Sequence, residues 1–364
     1  MTTAPAPATA PLLVGADARY PFAALLEAAE ALFVAAGLPP DKASSVARAL
    51  VQADAIGHTT HGLALVPWYL DALAAGQMER QGTMEVLSDR GSCVAWNGRR
   101  LPGAWLIERA FDLALERIET HGVVTLTIAG AHHTGALAVY LPRVTERGLM
   151  PILTCSSPAA AGVAPFGGTR GLLTPNPIGA GIPTPGDPVL LDISASITTS
   201  NRARQLAQAG ERFPADWVMD AAGQATNDPA VAVSGGGTLL PVGGLDHGHK
   251  GFGLALLVEA LTQGLSGLGR RSKPSGILTN IFVQVIDPDA FGGREGFIAE
   301  SGWLGEACRA NPPRPGVERV RLPGEHAMAS LRHARADGVP LRPAILDGLA
   351  PHLARLGVDW PAPL

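Results

Sequence analysis

Six of the ten histidines lie in close pairs, and imidazole is the side chain best suited to proton transfer near neutral pH. The pairs are His58/His61, His132/His133 and His247/His249. Each pair is flanked by glycine, which allows the backbone to approach a ligand closely. Together the pairs favour an enzyme that moves protons, although a single pair of loop histidines is more often solvated or hydrogen-bonded for structure.

Thr60, His61 and Gly62 form the most suggestive of these groups. A hydroxyl beside an imidazole can orient the ring or relay its proton. A carboxylate from elsewhere in the chain can hold the second ring nitrogen. Asp192, at the end of a predicted strand, is a candidate for that task. A role as a turn residue that closes the strand explains Asp192 equally well at this stage.

A metal-dependent hydrolase or lyase is the alternative use of the same histidines. His-x-His and His-x-x-His spacings occur in zinc and iron sites. The chain has no His-Glu-x-x-His sequence, and Cys93, Cys155 and Cys308 are too widely separated to form a metal knuckle. We therefore expect no bound metal, and the hydrolase ranks second.

The usual nucleotide-binding sequences are absent from the chain. No Gly-x-Gly-x-x-Gly follows a predicted strand, and no Gly-x-x-x-x-Gly-Lys-Ser/Thr is present. Lys250, expected at the start of a helix, could meet a phosphate there, although a solvated lysine is more common. These local patterns alone indicate an α/β enzyme with a histidine-centred site.

Helices are predicted to position the first histidine pair. Apolar spacing predicts helices over residues 22–36 and 40–55, the second one capped by Asp41. A third is expected through Leu65, Trp68 and Leu73. The polar break at residues 57–62 then places His58 and His61 at a helix junction.

Strands and helices alternate beyond residue 83, which is typical of a mixed α/β sheet layer. The pattern predicts strands over residues 83–87, 93–96, 123–128, 150–155, 189–193 and 277–286. Helices are expected over residues 105–121, from 135 to about 147, and over 254–265, the last entered through residues 248–251. The stretch 156–188, rich in Gly and Pro, is expected to be irregular and therefore functional.

The composition favours a soluble cytoplasmic protein. Hydrophobic residues make up 46% of the 364 residues, which is enough for a sizeable core, and the net charge of −4 argues against a nucleic-acid partner. No apolar run reaches the ~18 residues that span a bilayer, so we expect no membrane association. Three scattered cysteines fit a reducing compartment. Residues 1–17, rich in Ala and Pro, are expected to be a disordered tail.

A series of short motifs in a fixed order resembles one enzyme family from about residue 20 to 340. The motifs are Ala53-Asp54-x-x-Gly57-x-x-Thr60-His61-Gly62, Ala131-His132-His133-Thr134-Gly135, Val163-Ala164-Pro165-Phe166-Gly167-Gly168, Thr174-Pro175-Asn176-Pro177, Leu191-Asp192-Ile193-Ser194-Ala195-Ser196, Trp217-Val218-Met219-Asp220, Asn227-Asp228-Pro229, Gly248-His249-Lys250-Gly251-Phe252-Gly253 and Arg321-Leu322-Pro323-Gly324-Glu325. Their order and spacing resemble the malate/L-lactate dehydrogenase-like family. This family includes sulfolactate, ureidoglycolate and diketogulonate dehydrogenases or reductases and cyclic imino acid reductases.

The resemblance implies a non-Rossmann α/β (α+β) fold with a large, mainly antiparallel mixed sheet covered by helices and a helical N-terminal part. It implies a homodimer that binds NAD or NADP and a small-molecule substrate. Hydride would pass between the nicotinamide and C2 of a 2-oxo acid, 2-hydroxy acid or cyclic imino acid. We expect residues 18–122 plus 300–364 to form a helical, substrate-side domain, and residues 123–299 to form the cofactor-binding domain.

The resemblance also assigns roles to individual residues. His61 becomes the proton donor, Asp192 its charge partner, Thr60 replaces the family's serine, and His133 competes for the same role. The expected cofactor contacts are His133, Thr134, Gly135, Ala136, Leu137, Thr174, Pro175, Asn176, Pro177, Lys250, Leu322, Pro323, Gly324 and Glu325.

The chain departs from the family pattern at Leu65, where many members have an arginine that clamps the substrate carboxylate. An aliphatic side chain cannot replace a bidentate guanidinium. The carboxylate is then held elsewhere, with Arg202, Arg204 and Ser156 as candidates, or the substrate is not a simple 2-oxo acid. A non-catalytic ligand-binding paralogue is a further alternative, against which the retained His61, Asp192 and Lys250 argue.

Overall fold

The computed structural model describes residues 18–364, so the tail predicted at residues 1–17 lies outside the described part. The helices are α1 Phe22–Ala35, α2 Pro40–Ala55, α3 Val66–Ala74, α4 Gly103–His121, α5 Pro142–Thr145, α6 Ser200–Ala209, α7 Ala230–Val233, α8 Gly244–Glu259, α9 Arg294–Arg309, α10 Glu325–Asp337 and α11 Pro343–Leu356. The strands are β1 Arg19–Tyr20, β2 Glu85–Asp89, β3 Cys93–Asn97, β4 Val123–Ala131, β5 Met150–Ser156, β6 Pro177–Ile182, β7 Val189–Ser194, β8 Val218–Met219, β9 Ala225–Thr226, β10 Thr238–Leu239, β11 Thr279–Ile286 and β12 Val339–Pro340.

One seven-stranded sheet in the order β2-β3-β4-β11-β5-β6-β7 forms the centre of the fold. Neighbouring strands run antiparallel except β3 and β4. Strand β11 lies between β4 and β5, and its Ile281, Val283 and Val285 are fully buried. The predicted mixed, mainly antiparallel sheet covered by helices is confirmed.

Helix α4 connects the sheet to the helical N-terminal part. Leu106, Ala110 and Phe111 recur at helical spacing and are buried, so one face of α4 packs on the sheet. At the start of the helix, a Cβ on Gly103 would lie 2.6 Å from the carbonyl oxygen of His132. The absence of a side chain at Gly103 therefore lets α4 pack directly on the loop that carries the second histidine pair.

The N-terminal helices predicted over residues 22–36 and 40–55 are confirmed as α1 and α2. The predicted cap at Asp41 is wrong. Pro39 is the N-cap residue and makes no side-chain cap bond, while Asp41 lies inside the first turn. Its Oδ2 instead accepts a 2.8 Å hydrogen bond from Trp105 Nε1, which ties α2 to α4.

The expectation of an irregular stretch over residues 156–188 is wrong in part, because β6 lies within it and pairs with both β5 and β7. Glycines in β6 replace the β-branched and aromatic residues from which a strand is usually predicted. A Cβ on Gly179 would lie 3.0 Å from Leu137 Cβ, and one on Gly181 would lie 2.5 Å from Thr145 Cγ2. Close packing of the segment 137–145 on this strand therefore selects glycine over the usual β-branched residues.

Helix α8 begins ten residues earlier than predicted, at Gly244 rather than residue 254. A Cβ on Gly251 would lie 2.4 Å from Val242 N, and one on Gly248 would lie 2.9 Å from Pro241 Cγ. Tertiary packing thus overrides the low helix propensity of a glycine-rich segment. Lys250 therefore lies within the helix, and its predicted position at a helix start is wrong.

The structure also differs from one further predicted helix. The helix expected from residue 135 to 147 is reduced to a 3₁₀ turn at Leu137–Tyr140 and the short α5. Strands β2 and β3 pair into the same sheet as β4, so this sheet spans the domain boundary expected between residues 122 and 123. Within residues 18–364, no helix is both long and apolar enough to cross a lipid bilayer.

Candidate active site

The first histidine pair lies in a turn between α2 and α3. Gly57, with φ of +86°, ends the α2 segment, and a 3₁₀ turn at Thr59–His61 follows. The backbone of His61 is fixed because its N–H donates to the carbonyl oxygen of His58 at 2.9 Å. The sequence signal of a polar break between helices therefore located this turn correctly.

The buried carboxylate of Asp54 contacts the backbone that follows the His61 turn. Asp54, at the end of α2, is only 3% exposed, and its Oδ2 accepts a 2.7 Å hydrogen bond from Leu63 N. Burial raises the pKa of Asp54 to about 7, although the Leu63 amide acts in the opposite direction. A Cβ on Gly62 would lie 2.3 Å from the Asp54 carboxyl group. The glycine after His61 is therefore required by this packing.

The Thr60 hydroxyl contacts the imidazole of His61, as the sequence suggested. Thr60 Oγ1 and His61 Nδ1 are 2.8 Å apart. Burial, together with the neighbouring His58, lowers the pKa of His61 to about 4. The ring is thus neutral at physiological pH, with Nδ1 engaged and Nε2 left for other partners.

His133 lies beside His61, with the two rings stacked and their centroids 6.0 Å apart. Its Nδ1 accepts a hydrogen bond from Gly135 N at 3.3 Å and is 2.7 Å from Tyr69 Oη. Burial lowers the pKa of His133 well below its ordinary value, so this ring is neutral too. Since Nδ1 accepts, the proton of neutral His133 is on Nε2.

His132 does not line the cavity that contains His61 and is completely buried against Trp68 and Tyr69, with ring centroids 5.6 and 5.5 Å from its own. Neither of its ring nitrogens has a hydrogen-bond partner among residues 18–364. Burial, with a smaller effect of Arg100, lowers the pKa of His132 to about 3. His132 is therefore a neutral core residue outside the cleft.

Replacing His132 by leucine should make the free energy of unfolding less dependent on pH under acidic conditions. The folded-state pKa of about 3 lies below the ordinary value of 6.5, so the unfolded chain binds the extra proton between these values. This contribution to stability is complete above pH ~6.5 and is lost as pH falls toward 3. Over this window the free energy of unfolding of wild type should fall by ~1.4 kcal/mol per pH unit more than that of His132→Leu. Urea denaturation at several pH values measures the difference, and parallel profiles would contradict it.

Asp192 is in reach of the histidine turn, but beside His58 rather than His61. On β7, its Oδ2 accepts a 2.9 Å hydrogen bond from Ala138 N and lies 3.6 Å from His58 Nδ1. Burial raises the pKa of Asp192, while the Ala138 amide and His58 act against that rise. The histidine that contacts this carboxylate is therefore His58, a residue to which the sequence interpretation gave no role.

A cavity of ≈ 620 Å³ joins these groups, which is within the range of roughly 300–1,000 Å³ usual for ligand sites. The predicted site residues that line it are Thr60, His61, His133, Thr134, Gly135, Ala136, Leu137, Ser156, Thr174, Pro175, Pro177, Asp192 and Arg202. The structure therefore gathers the two competing histidines, the carboxylate and most of the expected cofactor contacts around one space.

Several predicted residues do not line this cavity. The amide of Asn176 turns away and donates to the carbonyl oxygen of Ala255 and to Glu259. Arg204 is exposed and bonds Asn201, and Lys250 is exposed on α8. Leu322, Pro323 and Gly324 line a second, surface pocket. The adjoining Glu325 pairs with Arg309 and Arg319.

The cavity also has lining residues that sequence reasoning missed. They include Gly57, His58, Thr59, Cys155, Ser157, Ser194, Thr199, Ser200, Asn201, Gln205, Thr279 and Arg342. The N-cap and first turn of α6 contribute three of these residues, Thr199, Ser200 and Asn201, and Asn201 Nδ2 donates to the carbonyl oxygen of Thr60 at 3.2 Å. The signal for α6 was a threonine cap, since Thr199 Oγ1 accepts from Arg202 N.

The comparisons with known proteins agree with this geometry. The model of the family described as malate/L-lactate dehydrogenase matches residues 20–350. The chain belongs to the malate/L-lactate dehydrogenase family. It is 32% identical to an L-lactate dehydrogenase of Cupriavidus necator over 338 residues, covering 91% of this chain and 95% of that relative. It is 33% identical to a (2R)-3-sulfolactate dehydrogenase (NADP(+)) of Chromohalobacter salexigens over 340 residues, covering 89% and 96%.

The fold of a solved family member is also similar. The structure of malate dehydrogenase from Pyrococcus horikoshii superimposes with a TM-score of 0.85 at 26% identity, covering 94% of this chain and 96% of that chain. The predicted family is therefore confirmed, and the protein is an oxidoreductase. The metal-dependent hydrolase is not favoured by these matches. Among residues 18–364, no group of three or more His, Cys, Asp or Glu side chains is placed to hold a metal ion.

Proposed function

We propose that this malate/L-lactate dehydrogenase family member transfers a hydride between NAD(H) or NADP(H) and C2 of a small 2-oxo acid, 2-hydroxy acid or cyclic imino acid. The observation that carries the proposal is the stacking of two neutral histidines, His61 and His133, on one wall of a single cavity. Thr60 engages one ring and Tyr69 the other, so both imidazoles are oriented before substrate arrives.

The chemistry of the cavity wall suits a dinucleotide without a glycine-rich phosphate loop. On one side lies the backbone of Gly135, Ala136 and Leu137, and Gly135 has φ of +74°, which favours glycine. On another lies the first turn of α6, whose helix N-terminus favours an anion such as a phosphate. These two segments and Thr174–Pro175 would hold the cofactor, which supplies or accepts the hydride when bound.

His61 exchanges the proton that accompanies the hydride. Its neutral ring can accept a proton from the hydroxyl of a 2-hydroxy acid during oxidation. In reduction it must first be protonated, which a bound anionic substrate favours because an opposite charge stabilises the imidazolium. The Asp192 carboxyl group lines the same cavity as His61. It accepts a hydrogen bond from Ala138 N and contacts His58.

Fluorescence titration with NADH and with NADPH tests the proposal directly. We expect saturable binding of at least one of them, followed by turnover of a member of a panel containing pyruvate, oxaloacetate, sulfopyruvate and Δ1-piperideine-2-carboxylate. A purified sample that binds neither reduced dinucleotide would contradict the proposal. The same titration separates NADH preference from NADPH preference.

The proposal extends to a homodimer in the cytoplasm. Leu254, Leu256, Leu257 and Leu265 on and after α8 are 37–60% exposed, an apolar surface that a second copy would cover. The three cysteines are free thiols, as suits a reducing compartment. We expect light scattering after size-exclusion chromatography to give twice the chain mass of 37.5 kDa. A monomer mass at micromolar concentration would contradict the dimer.

A further inference from the structure

Leu65 lies three residues after Gly62, in the turn that follows His61. This side chain is partly buried and packs against the main hydrophobic core. It therefore offers neither charge nor a hydrogen bond to a substrate. The proposed substrates carry a carboxylate, and an anion leaving water for a cavity needs a cationic or hydrogen-bonding partner. The cavity must therefore supply that partner from another position.

Arg342 lies between β12 and α11, as the N-cap residue of α11, and lines the same cavity as His61. Helix α11 packs against α3 and against the 3₁₀ turn Leu63–Leu65. Arg342 is solvent-exposed, as expected of a residue at the mouth of the cavity. An arginine thus reaches the site from the helix that packs on the turn containing Leu65.

Arg342 combines a fixed backbone with a guanidinium that has no partner among residues 18–364. The preceding Leu341 is 2% exposed and its N–H donates to the carbonyl oxygen of Ala18, while the Arg342 carbonyl oxygen accepts from Ile345 N. Within residues 18–364, no ion pair or hydrogen bond engages the Arg342 guanidinium. Arg309, by comparison, is occupied by two glutamates. The anchored base and unoccupied guanidinium suit bidentate binding of a carboxylate.

The remaining charges around the cavity agree with this role. Besides the histidines, the ionisable groups on its wall are Asp192, Cys155, Arg202 and Arg342. Asp192 is engaged by His58 and Ala138 N, and burial raises the pKa of Cys155 to about 12, so this thiol is neutral. We infer that Arg342 binds the carboxylate of the substrate, taking the place of the arginine absent at Leu65. This inference rests on the proposed function and names the side chain that recognises the carboxylate shared by the proposed substrates.

The variant Arg342→Gln tests the inference, with Arg355→Gln on the exposed face of the same helix as the matched control. For the 2-oxo acid turned over by wild type, we expect Arg342→Gln to raise KM roughly 10- to 100-fold, the effect of losing a hydrogen bond to a charged group. The dissociation constant of the reduced dinucleotide and the melting temperature should stay unchanged. Arg355→Gln should leave KM unchanged.

Two further measurements separate substrate binding from a structural effect. Wild type should prefer the 2-oxo acid over its uncharged 1-carboxamide, and Arg342→Gln should lose most of that preference. Arg342→Lys should fall between wild type and Arg342→Gln, because it keeps the charge without the planar fork.

The outcomes distinguish this inference from the proposed function on which it rests. If wild type reduces a 2-oxo acid and Arg342→Gln keeps both its KM and its preference for carboxylate over carboxamide, the inference is overturned and the proposed function stands. If wild type binds neither NADH nor NADPH, the proposed function fails and this inference fails with it.

Discussion

Replacing His61 by alanine should lower kcat by ~10²–10⁴-fold, the usual contribution of a general acid or base. The imidazole lines the cavity, and its Nδ1 is engaged by Thr60 Oγ1 at 2.8 Å, which leaves Nε2 for the substrate. Steady-state kinetics, together with titration of the reduced dinucleotide, should show a loss in kcat with cofactor affinity preserved.

The neighbouring His133 provides the matched comparison, since the two rings are stacked and both are neutral. If His133 contacts the cofactor, His133→Ala should weaken dinucleotide binding more than it lowers kcat. The opposite pattern, in which His61→Ala keeps near-normal turnover and His133→Ala loses kcat with affinity unchanged, would transfer the proton-donor role to His133.

The pH dependence gives an independent readout of the same residue. Because the pKa of His61 in the substrate-free protein is about 4, kcat/KM for reduction should fall as the pH rises above that value, when the protonated ring is depleted. Hydroxy-acid oxidation needs the neutral ring and should show the opposite dependence. Both dependences should vanish in His61→Ala.

Thr60→Val should lower kcat while Thr60→Ser should not, since only the serine keeps the hydroxyl that contacts His61 Nδ1.

Replacing Gly62 by alanine should both destabilise the protein and slow catalysis. A Cβ at this position would lie 2.3 Å from the Asp54 carboxyl group, a separation that real atoms do not reach, so the turn or the carboxylate must move. Overpacking of this kind costs ~1–3 kcal/mol. The turn carries His61, and a displacement of about 1 Å of a catalytic group can cost ~10²-fold in rate. Chemical denaturation and kcat together measure the two effects.

Gly296→Ala is the matched control, because a Cβ there meets nothing within 4 Å and the residue lies in helix α9. Alanine in a helix is favoured over glycine by roughly 0.5–1 kcal/mol, so this variant should be as stable as wild type or more stable. A double-mutant cycle with Asp54→Ala provides a second check. The two substitutions should be clearly non-additive, because removing the carboxylate opens the space that the new methyl group needs. Wild-type stability and kcat in Gly62→Ala would contradict the packing argument.

Much of the framework could be predicted from local sequence patterns. Apolar spacing located α1, α2 and α4, and runs of β-branched residues located β4 and β11. These elements could be predicted because the apolar positions in their sequences are the positions that are buried in the structure. Two exceptions, β6 and α8, are glycine-rich segments in which close contacts, such as those of Gly181 and Gly251, leave no space for a larger side chain. A contact with a distant segment cannot be read from the neighbours in the chain.

The sequence by itself determined the family, the histidine turn at residues 57–62 and the chemistry available there, because side-chain types and their spacing are local properties. Only the tertiary structure decided which groups meet: His61 against His133, Asp192 beside His58, and Arg342 in a cavity where Leu65 offers no charge. It also decided the protonation states, since burial sets the pKa of His61 and Asp54. The physical reason is that burial and charge–charge distances depend on segments far apart in the chain, which folding alone brings together.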